Sequence, residues 1–268
     1  PTNADTTFIY DPTLPTISSI AVTGVTSGQY GNSAGTYTVI VTASETLAAA
    51  PTLTLSGGTV GGGSGSTSDT VWTYTFTPTD ADESVTIDVG AGAITDSAGN
   101  VNTATPSQFA FTHDATAPTA SAVTIAVSGT GNANNGDVVT LTIDPSEVIG
   151  APTCTWTDGS GAMEDTSVTY ATVADTDHHT AAVTVADADQ DGTVGFSCTF
   201  SDLAGNAVAS AVTALTGGSA ITIDNTHPTI SAVTAGWGTH LNAAEDNNAG
   251  TVTVTTSGAA DGQTVTTT

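Results

Sequence analysis

The pattern Asp-x-Ala-Gly-Asn occurs at residues 96–100 and again at 202–206, and each copy is followed, after one apolar segment, by Asp-x-Thr-x-Pro-Thr at 114–119 and 224–229. The second pattern also stands near the start, at 11–16. The linker aspartates Asp11, Asp114 and Asp224 are 103 and 110 residues apart, and other markers keep step: Glu45 and Glu147 differ by 102, Asp96 and Asp202 by 106. A period near 100 residues is one whole domain, so the chain is a tandem array of domains and not a solenoid of short units.

The phase of the apolar residues says what kind of domain. Tyr37, Val39 and Val41 alternate with Thr38, Ile40 and Thr42, and Val139, Leu141 and Ile143 stand 102 residues further on in the same phase. A period of two is that of a half-buried strand, and its recurrence means that the same face is buried twice. Further strands are expected over 16–22, 71–77, 84–89 and 107–112, separated by Gly- and Ser-rich turns such as 57–68. No helical periodicity of useful length occurs. Short alternating strands in a unit of this size predict an all-β protein of tandem antiparallel β-sandwiches. Two complete domains are expected, at 11–113 and 114–223, after a closing strand of a preceding domain at 1–10 and before the start of a third, incomplete domain at 224–268. Phe8 sits three residues before Asp11 as Phe111 does before Asp114, which is why residues 1–10 read as a last strand. The two ends are complementary in kind. Either a neighbouring copy's strand completes the fold by strand addition, or the chain continues beyond these 268 residues.

Charge narrows the partners. The chain holds 26 Asp plus Glu and no Lys or Arg, where a chain of this length would ordinarily carry about 30 basic residues. With no cation to meet phosphate, nucleic acid and anionic lipid are excluded as partners; the field favours metal cations instead. No apolar run of 18 or more residues exists, so no membrane insertion is expected in this segment.

The order of Ser-Glu (Ser44-Glu45, Ser146-Glu147), Ala-Pro-Thr (50–52 and 151–153), Asp-x-Ala-Gly-Asn and Asp-x-Thr-x-Pro-Thr resembles the bacterial immunoglobulin-like repeats of giant extracellular adhesins and surface proteins. The stretch 237–247 is similar to a sister subtype of those repeats. The resemblance implies immunoglobulin-like sandwiches, an extracellular or cell-surface location and a structural role in an adhesin stalk, filament or surface layer. Partners would be further repeats of the same long chain or neighbouring copies. A glycan- or cell-surface-binding module is the alternative. The resemblance also implies calcium at the domain junctions.

Calcium takes six to eight hard oxygen ligands, and each junction offers them. Asp11, Asp114 and Asp224 come from the linkers, Glu45 and Glu147 from the Ser-Glu pairs, and Asp96 with Asn100 and Asp202 with Asn206 from the Asp-x-Ala-Gly-Asn loops. The loop preceding each linker is expected to face the Glu of the domain that follows. The same five-residue loop also reads as a tight turn in which Asp caps backbone amides and Gly takes positive φ. A second metal candidate is Asp187, Asp189 and Asp191, the Asp-x-Asp-x-Asp-Gly start of an EF-hand-like loop; it lacks the Glu at position 12, where Cys198 stands, and also reads as a solvated hairpin turn.

Cys154 and Cys198 are the only cysteines. Cys154 takes the place of Leu53 on the third strand and Cys198 lies on the strand before Asp202, neighbours in a sandwich of this type, so a disulfide is expected; an extracellular setting favours it over two buried thiols. His178 and His179 are adjacent on a strand and point to opposite faces. His113 and His227 neighbour linker aspartates and could make junctions pH sensitive. Trp72, Trp156 and Trp237 read as core or junction packing, with sugar stacking open to any that is exposed. No nucleophile elbow, Cys-x-x-Cys or phosphate loop occurs, so no enzyme is expected.

Overall fold

The computed structural model describes residues 10–32, 35–65, 69–103, 108–165, 167–172, 178–237 and 250–258. Residues 1–9 of the expected closing strand at 1–10, and the segment 238–249, lie outside the described residues. The first repeat contributes, in chain order, β1 (Ile17–Val22), β2 (Tyr30–Gly31), β3 (Tyr37–Ala43), β4 (Thr54–Ser56), β5 (Thr59–Val60), β6 (Val71–Thr77), β7 (Asp82–Asp88) and β8 (Phe109–Asp114). They form two four-stranded sheets, in the orders β1-β3-β6-β5 and β2-β8-β7-β4. Within them β2 runs parallel to β8, and the other pairs are antiparallel. This is the strand order of an immunoglobulin sandwich, A-B-E-D facing C-F-G, with the first strand divided between the two sheets.

The alternation in β3 explains why the sheet sits as it does. Tyr37, Val39 and Val41 are buried, as are Trp72, Tyr74 and Phe76 on the paired β6, and the opposite sheet meets them with Val85, Ile87, Phe109 and Phe111. Burying each such side chain contributes about 1.5–3 kcal/mol. A one-residue slip would turn a whole set to solvent, so the register is fixed. Tyr37, Phe76 and Phe111 meet with ring centroids 5.2–6.0 Å apart. The buried Tyr74 hydroxyl donates to the Pro51 carbonyl at 2.5 Å, and burial pushes its pKa up to about 12. This bond gives the Ala-Pro-Thr segment its fixed place, and Tyr74→Phe is expected to cost about 1–2 kcal/mol by stranding that carbonyl, read as a lower urea midpoint at unchanged slope.

The second repeat contributes β9 (Ala120–Val127), β10 (Val138–Pro145), β11 (Thr153–Thr157), β12 (Thr169–Thr172), β13 (His179–Thr184), β14 (Gly192–Thr193), β15 (Gly195–Thr199) and β16 (Thr222–Ile223). Its strands pair as β12-β13-β10-β9, β11-β15 and β14-β16, and a parallel bridge links Ala133 to Ile223. The plan of the first repeat is thus kept. Val139, Leu141 and Ile143 are fully buried, as the shared phase requires, and Val194, Phe196, Cys198 and Phe200 are buried along the segment that leads to Asp202. Cys154 and Cys198 form the expected disulfide, joining β11 to its neighbour β15. Trp72 and Trp156 are each only 4% exposed, which makes both core residues and removes them as sugar platforms.

The last described strands, β17 (Thr229–Ala235) and β18 (Val252–Ser257), pair antiparallel with a register shift between Ile230 and Ala232. The β1–β3 pair has the same shift between Ile17 and Ser19, at the same distance from its Pro-Thr. The positions that are buried at Ile17 and Ile20 are exposed at Ile230 and Val233.

By density of contacts the chain divides into two compact units. One holds the described residues up to Ala120 with Pro145–Pro152 and Thr199–Ala211; the other holds Ser121–Asp144, Thr153–Cys198 and the described residues from Val212 onward. Among the described residues no helix is long and apolar enough to cross a membrane.

Candidate functional site

Both Asp-x-Ala-Gly-Asn loops close tight hairpins, with bridges Thr95 to Val101 and Ser201 to Ala207 flanking them. One carboxylate oxygen of Asp96 accepts from the amides of Ala98 and Asn100 at 2.8 Å each. One of Asp202 accepts from Gly205 at 2.6 Å and Asn206 at 2.8 Å. Gly99 and Gly205 have φ of 94° and 95°, the left-handed conformation that a side chain would strain. The turn chemistry read from the sequence is therefore present in both loops.

The second carboxylate oxygen is held differently. Asn100 donates through Nδ2 to Asp96 Oδ2 at 2.7 Å and to the Asp11 carbonyl at 2.9 Å. Asn206 does the same to Asp202 Oδ2 at 2.8 Å and the Asp114 carbonyl at 2.9 Å. In this arrangement each Asn latches a loop to a linker.

The Ser-Glu pair completes the set. Ser44 Oγ accepts from the Thr16 amide at 3.0 Å while the Ser44 amide donates to the Thr16 carbonyl at 2.8 Å. Ser146 and Thr119 repeat the exchange at 3.0 and 2.8 Å. Two residues past each Glu the chain pairs with the Asp loop, Leu47 to Asp96 and Ile149 to Asp202. Serine thus fixes the linker, and the next residue delivers a carboxylate beside it.

Asp11, Glu45 and Asp96 consequently come together, and so do Asp114, Glu147 and Asp202, each set with ligand oxygens within 4.8 Å of one another. Both sets lie in the first compact unit. The grouping corrects one expectation. Asp114 meets Asp202, of the loop that comes after it in sequence, and not Asp96 of the loop before. The reason is topological: the segment that follows Ser-Glu pairs with the loop of its own repeat, so that loop lies where its own domain's linker enters. Asp224 joins no such set among the described residues; its amide donates to the Ala133 carbonyl at 2.9 Å.

One contributor was not foreseen. Asp82 opens β7 and lies opposite Asp114 on β8. It accepts from Thr116 Oγ1 at 2.8 Å, and with Asp114 and Glu147 it lines an open hollow of about 430 Å³. The clue was the cross-strand pairing of two acidic strand ends, which needs the register to be known.

The three aspartates of the EF-hand-like loop line one hollow but form no tight set like the two triads. Asp189 is buried and accepts from the amides of Glu164 and Ala186 at 2.7 and 2.8 Å. Asp191 accepts from the Asn225 amide at 2.6 Å and from the Thr226 hydroxyl. Asp187 forms no set with them. Two of the three carboxylates are thus turned onto amides, as in a capped turn. Nearby Asp158 accepts from Gln190, Ser160 and Gly161, which holds its pKa down to about 2. His113 is buried with Nδ1 2.8 Å from the Tyr37 hydroxyl, on the opposite face of β8 from Asp114, so it faces the core and not the linker. His178 is 3.8 Å from Asp144.

In both sets the glutamate is pushed upward. Burial raises the Glu45 carboxyl above its usual range, and the charges of Asp11 and Asp96 raise it further. Burial raises Glu147, with Asp114, Asp202 and Asp82 adding repulsion, and it raises Asp114, with Asp202 and Asp82 adding theirs. For Asp96 burial acts upward but is outweighed by the hydrogen bonds from Asn100, Ala98 and Gly99, and its pKa falls. A raised carboxyl contributes stability below its unfolded pKa that is lost as pH rises through the folded value. In chelator, melts from about pH 4 to pH 7 are therefore expected to show a progressive loss from Glu45, Asp114 and Glu147. A flat profile would mean that neither burial nor repulsion raises these carboxyls in the folded chain.

An immunoglobulin-type sandwich with an acidic triad where its linker enters is the class that fold and site define. Residues 11–112 match the family model of a bacterial Ig-like domain, so the first repeat is a member of that family. Among solved structures, a chimeric titin Z1Z2 carrying an exogenous decorin peptide is 13% identical over 78% of this chain and 95% of its own, with a TM-score of 0.29. The D00-D0 domain of intimin is 14% identical over 76% of this chain and 99% of its own, at 0.28. The N-terminal Ig1-2 module of the Drosophila receptor protein tyrosine phosphatase DLAR is 10% identical over 79% and 98%, at 0.21. No curated protein matches the chain.

Proposed function

We propose that this chain is an extracellular structural segment, a run of Ig-like modules in an adhesin stalk, filament or surface layer, whose linkers are held by calcium. The observation that carries the reading is the doubled triad: equivalent sets of three carboxylates converge at two of the three linker aspartates, Asp11 and Asp114. Oxygens up to 4.8 Å apart suit an ion with ligands at about 2.4 Å on either side, and calcium is the common dication that accepts a loose set of carboxylates, carbonyls and waters. The chain has no Lys or Arg, so a metal ion is the neutralising partner that remains for Glu45, Asp114 and Glu147, whose carboxyls are pushed upward by burial and by neighbouring carboxylates. The disulfide agrees with an oxidising compartment outside the cell.

Calorimetric titration tests this. Two calcium ions are expected per chain, one of them lost in Glu45→Gln and the other in Glu147→Gln. Absence of binding at millimolar calcium would leave the loops as turns and the Asn and Ser hydrogen bonds as what holds the linkers.

A further inference from the structure

We infer that the Cys154–Cys198 bridge makes the second repeat an extension-limited element, its enclosed segment locked against stretching until the bridge is reduced, while the first repeat has no such lock. The bridge joins neighbouring strands β11 and β15 and closes off β12, β13 and β14 between them. Both cysteines of the chain are used in it, so nothing equivalent exists in the first repeat. Cys154 is 5% exposed and Cys198 is fully buried. A dissolved thiolate must reach a sulfur to displace its partner, so the folded repeat shields the bond and the parted strands present it.

When a chain carrying this repeat is pulled from its ends, the segments before Cys154 and after Cys198 pay out and the enclosed segment does not. The cysteines are 44 positions apart, which withholds about 150 Å at roughly 3.4 Å per residue. Release requires a thiol reductant. Its thiolate attacks one cysteine sulfur, forming a mixed disulfide as the Cys–Cys bond breaks and the other cysteine leaves as thiolate. A second reductant thiolate then frees the remaining cysteine, and the reductant departs oxidised. The device has a use only if the chain bears tension, as in the structural reading above, but the bridge and its shielding stand apart from calcium.

The test is single-molecule stretching of the full chain in chelator, with and without dithiothreitol, so that a failed metal reading leaves it unaffected. Without reductant the second repeat's unfolding step is expected to fall short of the first's by about 100–150 Å. With reductant, a delayed further step of about 150 Å should follow that unfolding and never precede it. In Cys154→Ala/Cys198→Ala the short step should lengthen without reductant. Full-length release from the unreduced chain overturns the lock, and so does reduction of the folded, unstretched repeat as fast as that of a denatured one. If the double variant does not fold, the reductant experiment on the natural sequence decides.

Discussion

Asp202→Ala is expected to cost about 2–3 kcal/mol, because a stranded amide costs about 1–3 kcal/mol when buried and the part-buried amides of this loop can hydrate in compensation. Asp202 is 6% exposed, and its carboxylate accepts from Gly205, from Asn206 and from the Asn206 side chain at 2.6–2.8 Å. Losing it also frees Asn206 from its hold on the Asp114 carbonyl. The companion variant separates turn from metal. Glu147 is held upward by burial and then by repulsion from Asp114, Asp202 and Asp82, so Glu147→Gln in chelator should be neutral or slightly stabilising. In calcium it should lose the stabilisation that the natural chain gains. Denaturant midpoints for both variants, with and without calcium, check the pair. Equal behaviour of Glu147→Gln and the natural chain in calcium would remove Glu147 from any ion site.

Removing the disulfide has the largest effect expected in the second repeat. Closing a loop across the 44-residue separation contributes about 4 kcal/mol in the chain-entropy view. Cys154→Ala/Cys198→Ala should therefore lower the second repeat's transition steeply and leave the first where it was, since the first repeat is built without cysteine. A calorimetric scan that separates the two transitions reads this directly. A common shift of both would show that the repeats unfold as one cooperative body.

Much of the fold was legible because the period-two pattern and the repeat spacing report burial directly. Tyr37, Val39 and Val41 and their partners 102 positions later are buried as their phase requires. The disulfide followed from placing Cys154 and Cys198 on strands that neighbour one another in such a sandwich. The candidate site was legible in its members but not in its grouping. Nothing in the spacing says whether Asp114 meets Asp96 or Asp202; the pairing of Ile149 with Asp202 decides it, and that is a long-range contact. Asp82 was hidden for the same reason, since it reaches Asp114 only through the register of β7 on β8. For the Asp-rich stretch 187–191 the sequence leaves a metal loop and a hairpin turn open. Its spacing imitates a metal loop, but Asp189 and Asp191 are turned onto amides.

The most direct test of calcium-held linkers is the melting temperature and small-angle scattering of the full chain in millimolar calcium and in chelator. Calcium at about 100 times its dissociation constant would add about 2.7 kcal/mol per site. The account predicts a clear rise in melting temperature together with a narrower distribution of scattering dimensions. Identical melts and identical scattering curves in the two conditions would contradict it.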